Sequence, residues 1–511
     1  IPKTGGRKMT LAELLDLNHR KFGDEIALIY GEKRITFREL KALSEKSAAV
    51  FQSMGVGKGS RISIMSFNTP SFVYAFFGAF KAGAAVIPIN HKLMAPEVDY
   101  ILNHSQSELF LYDGALSGVA AELQSRSKQI AMDSLPETTG SPVQLLETLI
   151  ETAGPYSPVD VSAHDTAEIL YTSGTTGKPK GCVHSHSNVI MAGITGALTM
   201  KMDKNDRLLM AMPIWHSSPL NNWFMAAQYV GASSVLLREY HPVHFLEAVM
   251  KEKTTVYFGA PISYLAPLQM VSEFDDYDLS SMRCWIYGGG PISTEHAKLL
   301  TAKYKSDKFY QVYGMTESGP TGTTLFPDEQ VEKAGSIGKT ALPGADLKVM
   351  KSDTHEATRG ETGEIWLKAA SMMEGYLDDP EATKAAFEGN WYKTGDLVRI
   401  DEDGYMFIID RTKDMIVTGG ENVYSKEVED ALTAHPEISE AAVIGKPHPE
   451  WGETVVAYYI PLQDKDPSPD DIKDFLGRRL AKYKIPREFY KKAELPRTPT
   501  GKVMKYMLRE K

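Results

Sequence analysis

An α/β fold, with a large N-terminal domain followed by a small α+β C-terminal domain, follows from three features of the sequence. Apolar runs of strand length alternate with amphipathic stretches over roughly the first two-thirds of the chain, implying parallel sheets flanked by helices. After about Gly335 the texture changes to short alternating segments and turns. The stretch 411–511 reads as a compact module of its own, and 511 residues are too many for one hydrophobic core.

In chain order, Ala27–Tyr30, Arg61–Met65, Ala84–Ile89 and Leu109–Tyr112 read as strands, with helices over Phe37–Met54 and Pro70–Lys81 between them. The longest apolar stretch, Phe72–Ile89, is interrupted by Lys81, Gly78 and Gly83. It predicts a buried helix and then a strand rather than a membrane span. Ala167–Tyr171 reads as a strand and Ser187–Met200 as a helix. Arg207–Met210, Ser234–Leu237, Thr255–Phe258 and Cys284–Tyr287 continue the strand pattern. Past Gly335, Gly363–Leu367, Leu397–Ile400 and Tyr405–Ile409 are strand-like. Asp403-Gly404 between the last two is a hairpin signal. This predicts a small β-barrel-like unit closing a first domain, 1–410. The charged break Asp410-Arg411-Thr412-Lys413 leads into the second, 411–511. Its helices are expected over Lys426–Ala434 and Ser468–Ala481, and its strands over Ile438–Gly445 and Thr454–Pro461.

Composition narrows the function. Hydrophobic content of 42% and charged content of 24% are those of a soluble globular protein. A net charge of −10 argues against an extended nucleic-acid surface. Cys182 and Cys284, the two cysteines, give no disulfide framework and point to a reducing, cytoplasmic setting. His184 and His186 lack zinc-site company and read as structural. The chain opens IPKTGG, without methionine and without a charged lead into an apolar signal core, so a start farther upstream or an engineered remnant is expected. Loose peripheral membrane contact and a homodimer both stay compatible with this reading.

The most informative segment is Tyr171–Gly181, YTSGTTGKPKG. Four hydroxyls (Thr172, Ser173, Thr175, Thr176), the glycines Gly174 and Gly177, and the cations Lys178 and Lys180 suit a polyanion cradled by backbone N–H groups. A Walker A loop is excluded by spacing, since only Thr175 and Thr176 separate Gly174 from Gly177, and Pro179 follows Lys178. The loop therefore indicates a nucleotide enzyme of another kind. Gln311–Glu317 (QVYGMTE) offers an aromatic, Tyr313, to stack on a purine and a carboxylate, Glu317, for Mg²⁺. Gly288-Gly289-Gly290-Pro291 follows a strand and leaves room for a flat ring. Trp391–Asp396 (WYKTGD) ends on a carboxylate suited to ribose hydroxyls, with Arg411 fifteen residues on. Thr498–Lys502 (TPTGK) puts a mobile cation in a basic loop. Taken singly, each segment also fits a turn, a helix cap or a surface ion pair.

Taken in order, these segments resemble the adenylate-forming superfamily of acyl-CoA synthetases, luciferases and peptide-synthetase adenylation domains, from Ile35–Leu40 (ITFREL) to the Lys502 loop. The resemblance implies a two-step reaction. A carboxylate attacks the α-phosphate of ATP, displacing pyrophosphate to give an acyl-adenylate, and a thiol, typically that of CoA, then attacks the acyl-adenylate and releases AMP. It further implies that Thr172–Lys180 cradle the β- and γ-phosphates, while Gly289, Gly290, Pro291 and Tyr313 surround adenine. Gly314, Thr316 and Glu317 would lie near AMP, with Thr172 and Glu317 toward Mg²⁺. Asp396 and Arg411 would hold ribose, and Lys502 would bridge the two reacting anions. Lys413 matches the family hinge, and rotation there would exchange Lys502 for the loop carrying Gly419 and Gly420.

His216, in Met212–His216 (MPIWH), matches the family position beside the substrate carboxylate. No aspartate stands nearby for an α-amino group, which disfavours an amino acid. Trp215, Trp223, Phe224, Tyr257, Phe258, Ala260 and Pro261, with Gly288 and Gly314, suit an apolar acyl body, worth about 0.8 kcal/mol per buried CH₂, with ordinary core packing the alternative for some of them. Medium- or long-chain fatty acids are the first expectation and aryl carboxylates the second. A carrier-protein arm or an oxygen acceptor is the alternative to CoA.

Overall fold

The computed structural model describes residues 9–135, 143–172, 179–290, 292–352, 354–411, 415–496, 503 and 505–509. Two eight-stranded sheets form the body of the first domain among these residues. One runs in spatial order Thr323–Leu325, Phe309–Tyr313, Cys284–Tyr287, Val256–Gly259, Arg207–Met210, Ser233–Leu236, Ile26–Tyr30, Lys33–Thr36, parallel except at its two edges. The other centres on Ala85–Ile89, Arg61–Met65 and Leu109–Asp113. Toward one edge it carries the antiparallel hairpin of Thr166–Thr172 with Lys180–Ser185, with the short strand Gly375–Tyr376 added beyond it.

Helices Phe37–Ser53 and Pro70–Lys81 pack among residues of both sheets in one continuous core. Every residue of Pro70–Lys81 is buried, as a helix apolar on all faces must be. Thr69 caps it and Pro70 opens it, which suits a residue lacking an N–H. A Cβ on Gly78 would meet Ser47 Cβ at 2.6 Å, so glycine there permits the close helix crossing. Lys81 ends the helix inside the core and is held by Asp16 at 2.6 Å. The predicted helix-then-strand over this apolar stretch is thus observed. No helix of the described residues is long and apolar enough to cross a membrane.

The expected β-unit is a six-stranded antiparallel, curled half-barrel sheet built on Ala345–Ser352, Thr362–Ala369, Trp391–Ile400 and Met406–Arg411. From Met415 onward the strands belong to a fourth sheet, ordered Glu421–Tyr424, Met415–Thr418, Gly452–Pro461, Ile438–His448, with Glu488–Lys491 added alongside Gly452–Pro461. The helix expected over 468–481 is shorter, Pro469–Gly477. It stops at its glycine, and Lys482–Lys484 form a separate 3₁₀ turn before Pro486. That early stop frees Tyr483 and Lys484 to face the first domain.

Candidate active site

A cavity of about 920 Å³ lies where the first two sheets, the half-barrel and the second domain converge. One end of it is set by the hairpin in which Thr172 pairs with Lys180. Ser173–Lys178, the loop between them, lies outside the described residues, as do Pro291, Lys413 and Lys502; of Arg411 only the backbone is described. Thr172 and Lys180 both line the cavity. Lys180 Nζ stands 4.9 Å from the Tyr376 ring centroid and 3.9 Å from the Asp379 carboxylate, which restrains a cation at this end.

The next wall is built from the ends of parallel strands, where α/β sheets place ligands. Gly288, Gly289 and Gly290 follow Cys284–Tyr287, and Gly289 takes a φ of +81° that favours glycine. Tyr313 ends its strand and donates its hydroxyl to Asp396 Oδ2 at 2.7 Å. Asp396 is paired in register with Arg411 across the half-barrel sheet. The three residues expected around one nucleoside are therefore neighbours. Gly314 is demanded by packing, since a Cβ there would stand 2.1 Å from the Pro320 carbonyl.

Glu317 is buried and accepts the Tyr376 hydroxyl at 3.0 Å through Oε1. Burial, and then the Glu317 charge, push the Tyr376 hydroxyl far above the usual phenol range, so it remains a donor. Glu317 Oε2 has no protein partner among the described residues. Oxygen donors on one cavity, Glu317 and Thr172, are the set a hard cation such as Mg²⁺ takes beside phosphates.

The opposite end is organised by Asn68, which no sequence motif marked. Its carboxamide accepts from the Ile214 N–H at 2.7 Å and donates to the Met210, Met212 and Leu237 carbonyls. That network fixes the turn carrying Trp215 and His216. Trp215 Nε1 donates to His91 Nδ1 at 3.0 Å. Burial lowers His91 to a pKa of about 4, leaving that nitrogen free to accept. Desolvation also lowers the pKa of His216, so its ring is neutral where the acid's carboxylate is expected. Thr316 and Ser217 hydroxyls meet at 3.0 Å, joining this turn to the wall that carries Tyr313 and Glu317. A π-helix, Ser218–Phe224, follows. From it Trp223 stacks on Phe258 at 5.6 Å between centroids, next to Ala260 and Gly288 in the cavity lining.

The second domain closes the cavity with the hairpin of Met415–Thr418 and Glu421–Tyr424. Gly419 and Gly420 make its turn at φ +58° and +82°, and a Cβ on Gly420 would come within 3.0 Å of Ala260 Cβ. Gly419 lies against Trp451 rather than in the cavity wall. Across the seam Lys92 pairs with Glu421 at 2.8 Å, and Asn90 donates to the Tyr483 hydroxyl at 3.0 Å. Lys484 bridges Glu97 of the first domain and Glu427 of the second, both at 2.7 Å. Burial alone would lower the Lys484 pKa; Tyr483 and the two carboxylates reverse that and hold it well above the ordinary lysine value.

One cavity thus collects Thr172, Lys180, Gly288–Gly290, Tyr313, Glu317 and Asp396 with Trp215, His216, Trp223, Ala260 and Gly420. Family models agree in extent. Residues 15–377 match "AMP-binding enzyme" and residues 427–502 match "AMP-binding enzyme C-terminal domain". The chain belongs to the AMP-binding enzyme family. Within it, this AMP-binding enzyme is of the adenylate-forming superfamily's acyl-CoA synthetase branch, an ATP-dependent ligase working through an acyl-adenylate. It is 35% identical to the long-chain-fatty-acid–CoA ligase FadD13 of Mycobacterium tuberculosis over 93% of both chains. It is 33% identical to a 2-succinylbenzoate–CoA ligase of Bacillus velezensis over 95% of both. The o-succinylbenzoate CoA synthetase of Bacillus subtilis, solved as a double mutant with a product analogue, superposes with a TM-score of 0.87 at 29% identity over 98% of each chain.

Proposed function

We propose that this ligase joins a carboxylic acid with an apolar body, a fatty acid or an aryl acid, to the thiol of CoA. The observation carrying this reading is the continuity of one cavity from the Thr172–Lys180 hairpin, past Tyr313 and Asp396, to Trp223 and Ala260. A nucleotide and an acyl group can lie in it end to end.

In this reading the loop Ser173–Lys178, with Thr172 and Lys180, holds the β- and γ-phosphates. Tyr313, Gly289, Gly290 and Pro291 enclose adenine, while Asp396 and Arg411 bind ribose. His216, neutral, stands beside the acid without adding a charge. Lys502 carries a positive charge between carboxylate and α-phosphate, and positioning two repelling anions is most of the catalysis. Mg²⁺ on Glu317 and Thr172 would supply further charge neutralisation at the phosphates. No protein nucleophile takes part, in keeping with Cys182 and Cys284, whose thiols burial pushes far above their usual range.

The second half-reaction uses the arrangement around Gly420. The domain 411–511 turns at Lys413, withdraws Lys502 and brings the Gly419-Gly420 turn to Ala260, where the absence of side chains leaves a path for a pantetheine arm. A panel of fatty and aryl acids assayed for AMP release, with and without CoA, tests the reading. Acid-dependent release that requires CoA is expected. Release indifferent to CoA would instead indicate a carrier-protein or oxygen acceptor.

A further inference from the structure

The π-helix Ser218–Phe224 sends three consecutive side chains in three directions. Asn221 donates to the buried Glu168, Trp223 stacks on Phe258, and Asn222 lines the cavity. Two neighbouring polar groups in that wall are already occupied. The Trp223 indole N–H donates to Ser218 Oγ at 3.2 Å, and the Thr199 hydroxyl donates to the Thr195 carbonyl at 2.7 Å. The Asn222 carboxamide makes no hydrogen bond among the described residues, although the residue is only 3% exposed. Its oxygen and nitrogen are not sealed within protein either, so what little exposure it has faces the cavity. Nor can the segment back away, because the Asn222 carbonyl is packed so tightly on Gly196 that a Cβ there would stand 2.2 Å from it.

Resting on the ligase reading above, we infer that Asn222 is a specificity-determining residue, selecting an acid whose body carries a hydrogen-bonding oxygen over a plain hydrocarbon one. Before binding, water can satisfy the amide. A hydrocarbon body displaces that water and leaves donor and acceptor unpaired, whereas a hydroxyl can meet both. Sites with a buried polar group reject the ligand lacking its partner far more strongly than they resolve a missing methylene. The stacked faces of Trp223 and Phe258 beside the amide suit an aromatic body. A hydroxylated aryl acid is thus the class the wall fits.

The test is kcat/KM for AMP release with CoA, using cinnamate, 3- and 4-hydroxycinnamate and decanoate, on the wild type, Asn222→Leu and Asn222→Ser. Wild type should favour a hydroxylated acid over cinnamate by about 5- to 100-fold. Asn222→Leu should erase or invert that ratio, and Asn222→Ser should keep part of it. An equal ratio in wild type, a preference for decanoate, or an Asn222→Leu ratio matching wild type would overturn the inference while leaving the ligase intact. Should Asn222→Leu fail to fold, the wild-type and Asn222→Ser ratios decide. Failure of every acid to support pyrophosphate exchange would remove the ligase reading itself.

Discussion

The two ends of the cavity, nucleotide and acyl in the proposed reading, are built on different plans. At the nucleotide end, polar side chains reach the cavity already held by others: Tyr313 by Asp396, Glu317 by Tyr376. At the acyl end, the His216 and Asn222 side chains line the cavity with no hydrogen bond among the described residues. A site for one fixed ligand can be preorganised by the protein alone. A site that must distinguish among acids keeps its polar atoms for the ligand.

The largest effect should come from breaking the nucleotide end. Lys502→Ala is expected to lower adenylate formation on the order of 10²- to 10³-fold. Thioester formation from supplied acyl-adenylate and CoA should persist; equal loss of both steps would contradict the rotating-domain assignment. Gly420→Leu should do the reverse, blocking thioester formation while pyrophosphate exchange continues. The reason is steric: even a Cβ there approaches Ala260 Cβ to 3.0 Å.

Lys484→Met should leave Glu97 and Glu427 buried without their cation, a change of about 3–5 kcal/mol for a buried pair losing one partner. We expect slower thioester formation, with adenylation largely retained, in single-turnover assays of each half-reaction. Parallel loss in both would assign Lys484 to general stability.

The smallest effect concerns the floor beneath the acyl end. Burial raises the Glu168 carboxyl to a pKa of about 7, with only Asn221 opposing. A carboxyl raised from 4.5 binds more protons in the folded state, so stability is lost as pH rises from about 4.5 through 7. Glu168→Gln removes that titration and should gain up to about 3 kcal/mol at pH 8 relative to pH 5. Melting temperatures of both proteins across that range would show it; parallel curves would mean that Glu168 does not titrate there.

The sequence made the family legible because its motifs come in short runs in a fixed order, and the structure brings Thr172, Lys180, Tyr313, Glu317 and Asp396 from those runs to one cavity. Strand and helix order was legible for the same local reason, as with the apolar stretch that became Pro70–Lys81 and Ala85–Ile89. The supports were not, because their partners are distant in the chain. Asn68 holds Ile214 across 146 positions, and Lys484 holds Glu97 across 387. Asn222 was hidden differently: in Asn221-Asn222 two identical side chains serve unlike ends, and only the π-helix separates them. The first helix, Leu11–Phe22, did carry a local signal, the Thr10–Glu13 capping box.

The central claim is that the cavity joins a carboxylate to the α-phosphate of ATP. Exchange of labelled pyrophosphate into ATP, in the presence of Mg²⁺ and across a panel of aryl and fatty acids without CoA, tests it most directly. Exchange that depends on the acid and disappears in Lys502→Ala is the predicted result. Absence of exchange with every acid, or exchange that ignores Lys502, would contradict the account.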